Sequence, residues 1–170
     1  MNTSHFKEKR RIRNAIIIFI VGLFLSGITA FPIETELNII LQYIDTSSFL
    51  GRWVDSIYIA VSTTNLTYPF LAYGTDWLAF AHILFAILFI GPLIDPIRNK
   101  WVIQFGIIAC IMIFPLAFIA GDIRSIPIFW RLIDCSFGII GIIPLWYCYK
   151  KINHLESLLP ANNIKLYQIK

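Results

Sequence analysis

The chain has 170 residues, 58% of them hydrophobic and 14% charged, with a formal net charge of +4. Soluble domains average roughly 45–50% apolar and about 25% charged residues, so an ordinary water-soluble fold is excluded. This length suits one small bundle and leaves no room for a separate soluble domain. Lys and Arg cluster at the ends of apolar runs, which reads as membrane orientation and not as a nucleic-acid surface.

The first apolar run, residues 15–33, follows Lys7, Lys9, Arg10, Arg11 and Arg13. It is long and lacks a small-x-small cleavage site, so it reads as a retained helix rather than a cleaved signal. Residues 34–76 carry Glu34, Glu36, Asp45, Asp55 and Asp76 against Arg52 alone. The Ser62-Thr63-Thr64-Asn65 core is too polar for a span. The segment is predicted instead to form two amphipathic helices, over residues 35–45 and 48–62. Leu37, Ile40, Leu41 and Ile44 share a face of the first. In the second, Ser47 or Ser48 supplies a cap, and Phe49, Leu50, Trp53, Val54, Ile57 and Val61 face away from Arg52 and Asp55. Such helices suit the headgroup layer or a lid over a bundle. Asn65-Leu66-Thr67 matches a glycosylation sequon, which matters only in a eukaryotic secretory pathway.

A second run, residues 77–94, is interrupted only by His82. Asp95-Pro96-Ile97-Arg98-Asn99-Lys100 is then expected to turn the chain and cap the third span, residues 101–121. Pro115 within that span removes an amide donor, frees the Ile111 carbonyl and is expected to kink the helix. After Asp122-Ile123-Arg124 comes the fourth run, residues 126–149, which holds Arg131 and Asp134. Trp77, Trp101, Trp130 and Trp146 near the span ends form an interfacial belt. Cys110, Cys135 and Cys148 lie in apolar runs with neither disulfide nor metal spacing, as small packing residues. Lys150 and Lys151 open a short, mixed tail.

Each run approaches the ~20 residues needed to cross the hydrocarbon core, and lipid-facing backbone must be helical. The expected fold class is therefore all-α. It is a polytopic membrane protein with four transmembrane helices, forming one domain over residues 1–170. The two amphipathic helices fall in the extracytoplasmic segment between spans one and two. Both termini and the 95–100 loop are cytoplasmic, because these carry the cationic clusters.

A charge at membrane depth costs about 2.5–3.5 kcal/mol even on the insertion scale, so Arg131 and Asp134 demand a reason. His82 and Asp134 each lie about 9 Å inside their spans at ~1.5 Å per residue, level with Pro115. His82 shares a face with Ala79 and Ala86, and Asp134 with Gly138, Gly141 and Arg131. Gly22, Ser26 and Ala30 mark a further small-residue stripe for close helix approach.

Two readings compete for the charges. In one, Arg131 and Asp134 neutralise each other within the helix. In the other, His82 and Asp134 form an acid–base pair and Arg131 holds a ligand, with Asp76, Asp122, Arg124 and Glu34 at the mouth and Trp130 lining the pocket. A Ser-His-Asp hydrolase using Ser136 or Thr75 has no nucleophile motif to support it. One membrane histidine gives no metal set and no bis-histidine haem, and the sequence names no other cofactor. The leading expectation is a protein that binds or carries a small or lipophilic molecule in the extracytoplasmic half of the bundle. The alternatives are an intramembrane enzyme acting on a lipid-like substrate, and a structural, assembly or immunity-type subunit whose charges pair across an interface. Expected partners are membrane lipids and a lipophilic small molecule, with a homo-oligomer compatible and nucleic acid not.

Overall fold

The computed structural model describes residues 3–157, with side chains from residue 9 onward. Lys7 and the tail beyond residue 157 lie outside the described side chains. Among the described residues the chain is helical, without strands. The helices are α1 (Thr3–Ala30), α2 (Ile33–Leu41), α3 (Phe49–Thr67), α4 (Tyr73–Leu88), α5 (Ile90–Ile94), α6 (Lys100–Pro115), α7 (Gly121–Ile123) and α8 (Ile128–Ser157). A 3-10 turn, Pro69–Ala72, precedes α4, and a π-helical turn, Leu116–Ala120, joins α6 to α7.

Four stretches are long and apolar enough to cross a membrane: Lys9–Ala30, Pro69–Ile94, Lys100–Ile123 and Ile128–Ser157. They outrun the apolar runs at most ends, because a helix satisfies its own backbone and does not stop where apolar residues do. Large apolar side chains such as Ile108, Met112, Ile119, Phe137, Ile140 and Ile143 stand exposed along them. Apolar surface on that scale is foreign to a soluble monomer and suits a hydrocarbon surround.

Two compact units divide the chain, Met1–Val21 with Ile87–Lys170, and Gly22–Ala86. The first unit is built on α6 against α8. Glycine lets the two backbones approach: a Cβ on Gly138 would lie 2.7 Å from the Cys110 carbonyl oxygen, and one on Gly141 would lie 2.8 Å from the Cys110 sulfur. A Cβ on Gly106 would meet Phe89 at 2.6 Å and Leu145 at 2.9 Å. Phe89, Val102, Ile103, Leu145, Cys148 and Ile152 are fully buried around this seam. Small residues at such contacts are what helix association in lipid requires.

The amino-terminal part of α1 joins the same core. Ile12 and Ile16, one turn apart, are buried, the Cys148 thiol donates to the Ile12 carbonyl at 3.7 Å, and the Phe19 and Phe89 rings meet at 4.7 Å. Cys110, Cys135 and Cys148 are all buried free thiols. Lys100, at the start of α6, pairs with Glu156 of α8 at 2.7 Å. The start of α1, the start of α6 and the end of α8 thus share one end of this unit.

The 95–100 turn departs from expectation. Asn99 stands at the N-cap position of α6, but its side chain makes no capping bond there. Its Nδ2 instead donates to the Gly91 and Asp95 carbonyls at 3.0 Å each, and the Asp95 carboxylate accepts from the Ile97 and Arg98 amides. The turn's side-chain bonds therefore close α5 behind it, while α6 opens on the Asn99 carbonyl, which accepts from the Val102 amide at 3.0 Å.

In the second unit, Ser48 is the cap of α3, with extended backbone and an Oγ that accepts from the Gly51 amide at 3.0 Å. Arg52 donates to the Ser47 carbonyl. Bonds from the Ser47 hydroxyl and amide hold the Asp45 carboxyl below its ordinary range. Asn65 of α3 donates to Glu34 of α2 at 2.6 Å, so its side-chain amide is already committed within the fold. Leu37 and Val54 are buried, whereas Ile40, Phe49 and Leu50 are exposed.

Close approach by α1 in this unit runs through Gly27, not through Gly22, Ser26 and Ala30. A Cβ on Gly27 would lie 2.8 Å from the Ala79 carbonyl oxygen, while one on Gly22 would meet nothing within 4 Å. The i+4 stripe is present in the sequence, but it turns to the outside. Gly138→Ala should lower stability by about 1–3 kcal/mol through overpacking. Gly22→Ala should be neutral or gain up to about 1 kcal/mol. Thermal melts of both variants in mild detergent compare them, and equal effects would refute the assignment of the packing face.

Candidate functional site

Pro115 has no amide hydrogen to give, so the helical ladder is interrupted as α6 ends. The chain recovers through one π-helical turn, in which the Gly121 amide donates to the Leu116 carbonyl. Single π turns of this kind widen a helix and recur at functional sites. The following turn, Gly121 to Ile126, closes α7 with a Schellman pattern: Ile126 N–H bonds Gly121 O at 2.8 Å, and Ser125 N–H bonds Asp122 O at 3.0 Å. Ser125 sits at φ 56°, in the left-handed region glycine normally fills. The Pro127 carbonyl then accepts from the Trp130 and Arg131 amides and starts α8.

Arg131 folds back over this turn. Its Nε donates to the Ile126 carbonyl at 2.6 Å, and its Nη1 pairs with Asp122 at 3.1 Å. The Arg131 side chain is 13% exposed and that of Asp122 78%. A side chain at Gly121 would press on the Arg131 stem, its Cβ 3.1–3.2 Å from Cγ, Cδ and Nε. The absent Cβ is what lets the guanidinium lie down.

The intrahelical Arg131–Asp134 pair is therefore not formed. Arg131 finds its carboxylate across the turn, because Asp122 and the Ile126 carbonyl offer it two acceptors near the helix end. Asp134, half-buried two turns into α8, makes no ion pair or hydrogen bond among the described residues.

Between the π turn and α8 lies a recess of about 270 Å³. One wall is apolar: Ile113, Leu116, Ala117 and Ala120, at helical spacing. Arg124, Arg131 and Asp134 bring the polar groups. Arg124 is exposed and, among the described residues, forms no ion pair. Asp122 reaches the recess only through Arg131. Trp130 is absent from its lining and stands edge-on to Phe129, the rings 6.2 Å apart. Ser136 donates to the Ile133 carbonyl at 2.6 Å, one turn back on its own helix. Among the described residues no group of three or more His, Cys, Asp or Glu side chains converges.

His82 and Asp76 belong to the other unit, both half-buried on α4. His82 Nδ1 lies 2.8 Å from the Leu78 carbonyl; this is a donor position in the neutral ring and leaves Nε2 as the acceptor. Its Cβ is 3.2 Å from where a Cβ on Gly27 would stand, and Ala79 beside it is fully buried.

Comparison with family models, with curated proteins and with solved structures finds no match for this chain.

The arrangement separates the two charged residues of α8 in stability. Asp134→Asn should leave the unfolding free energy within about 1 kcal/mol, and Asp122→Asn should cost at most about 1 kcal/mol as an exposed pair. Denaturation of the purified variants measures both. A loss of about 3–5 kcal/mol for Asp134→Asn would instead reveal a buried pair with Arg131.

Proposed function

We propose that this protein binds or carries a small or lipophilic molecule in the recess beside α8, in the extracytoplasmic half of a four-span bundle. The observation that carries the reading is Asp134, unpaired among the described residues, in a cleft with an apolar wall and a second charge likewise unpaired, Arg124. An uncompensated carboxyl at membrane depth is costly, and a cleft pairing apolar surface with a few convergent polar groups is the ordinary form of a ligand site.

Orientation follows from charge. The cationic clusters at Lys9 to Arg13, at Arg98 and Lys100, and at Lys150 and Lys151 are read as cytoplasmic. The shared end of the first unit, where Lys100 meets Glu156 and Ile12 meets Cys148, supports putting all three on one side. The recess then faces the opposite leaflet. Helices α2 and α3, with Ile40, Phe49 and Leu50 outward, are assigned to the headgroup layer of that leaflet as amphipathic helices. In a cysteine-free background, single cysteines at Lys150 and Ser47 should be labelled by a membrane-impermeant maleimide from opposite faces of sealed cells. Labelling of both from outside would reverse or break this topology.

Ligand occupancy is read by extracting the protein in native nanodiscs and identifying retained lipophilic molecules by mass spectrometry. One molecule per chain is expected in the wild type. Ala120→Trp, which fills the recess, should lose it without loss of helicity. A wild-type protein with no retained molecule, or undiminished retention in Ala120→Trp, would sink the reading.

A further inference from the structure

The order in which charge meets the recess narrows its ligand. Arg124 lies in the turn, before α8 begins. Asp134 lies six residues into α8, about 9 Å along the axis at ~1.5 Å per residue. Ile113 and Leu116 continue the wall on the α6 side. Passing inward from the helix end, a bound molecule meets the Arg124 guanidinium and then the Asp134 carboxyl, each without an ion pair among the described residues, with the apolar α6 wall alongside both.

Arg131 does not blur that order. Its Nε and Nη1 are occupied by the Ile126 carbonyl and Asp122, so the neighbouring cation is largely spent on the protein itself. The two groups left for a ligand have opposite demands: Arg124 offers donors to an anion, and the Asp134 carboxylate accepts from a hydroxyl or an ammonium. Neither demand is met by a hydrocarbon tail, and neither alone explains the other.

Size sets the remaining limit. At about 270 Å³ the recess falls just under the ~300–1,000 Å³ of drug-sized sites. One slender chain and a compact polar end fit that volume better than two acyl chains.

Resting on the ligand-binding reading above, we propose that the recess takes a single-chain anionic lipid with a hydrogen-bond donor between its anionic group and its chain. The anion sits on Arg124, the donor on Asp134 and the first part of the chain along Leu116 and Ile113. A diacylated phospholipid has its glycerol hydroxyl esterified and lacks that donor. A lysophospholipid supplies it as a free hydroxyl, and a phosphorylated long-chain amino alcohol supplies an ammonium.

Binding to the full-length protein in nanodiscs tests this with four probes of matched chain length: lysophosphatidic acid, its 2-deoxy analogue, a sphingoid phosphate, and a neutral monoacylglycerol. Wild type should bind the 2-deoxy analogue about tenfold or more weakly than lysophosphatidic acid, the loss expected for one hydrogen bond to a charged group. Asp134→Ala should erase that difference. Arg124→Ala should weaken all three phosphate-bearing probes while sparing monoacylglycerol. Asp134→Asn separates the donors: it retains an acceptor for the hydroxyl lipid but loses charge pairing with the ammonium lipid, whose affinity alone should fall. Equal wild-type affinity for lysophosphatidic acid and its 2-deoxy analogue would overturn the assignment while leaving a lipophilic site standing. Failure of every probe, together with an empty native preparation, would overturn the ligand reading itself.

Discussion

The contact on which the first unit depends is the approach of α6 to α8 at Gly138, where a single β-carbon would stand 2.7 Å from the Cys110 carbonyl. Within lipid there is little hydrophobic gain in pressing two apolar helices together, so close van der Waals contact must supply the association. Gly106, Gly138 and Gly141 let the seam close. Asp134 lies one turn from that tightest point, and the π turn after Pro115 widens α6 on the facing side. The recess exists because a tight seam and a widened helix adjoin. Of the charged groups in it, Arg131 and Asp134 are held on α8, which the seam anchors, and Arg124 on the adjoining turn.

The turn between the helices adds the second constraint. Gly121 leaves room for Arg131 to lie across the backbone, and the Schellman closure places Ile126 O where the guanidinium can use it. Ser125 accepts a left-handed backbone there. Such a residue costs of order 1–2 kcal/mol relative to glycine, and the surrounding bonds hold it in place. The arginine is thereby satisfied locally, and Asp134 is left without an ion pair among the described residues.

Much of the helical plan was legible in the sequence. The four apolar runs, the Ser48 cap and the break after Pro115 all rest on local chemistry: hydrocarbon length, a side-chain acceptor, a missing amide. What was not legible depends on rotation about a helix whose faces are all apolar. Gly22, Ser26 and Ala30 form the more regular stripe, yet Gly27 makes the contact, because periodicity cannot choose between faces when every face is hydrophobic. The Ile113, Leu116, Ala117 and Ala120 wall of the recess was hidden for the same reason. Arg131 was read against Asp134 because spacing within one helix is visible in a sequence. Its actual partner, Asp122, lies across a turn whose geometry is not. Asn99 likewise turned back to α5, its side-chain amide adding a second donor to the Gly91 and Asp95 carbonyls.

The bond from Cys148 to the Ile12 carbonyl joins positions 136 residues apart, and Ile12, Ile16, Ile152 and Leu155 are buried together with it. Contacts of that sequence separation are slow to form, since long-range closure must precede any gain. During synthesis α1 enters the membrane first and α8 last. The amino-terminal turns of α1 therefore have Ile12 and Ile16 uncovered until α8 is in place. Closing this core therefore needs the end of α8, which supplies Cys148, Ile152 and Leu155, to be seated against the start of α1.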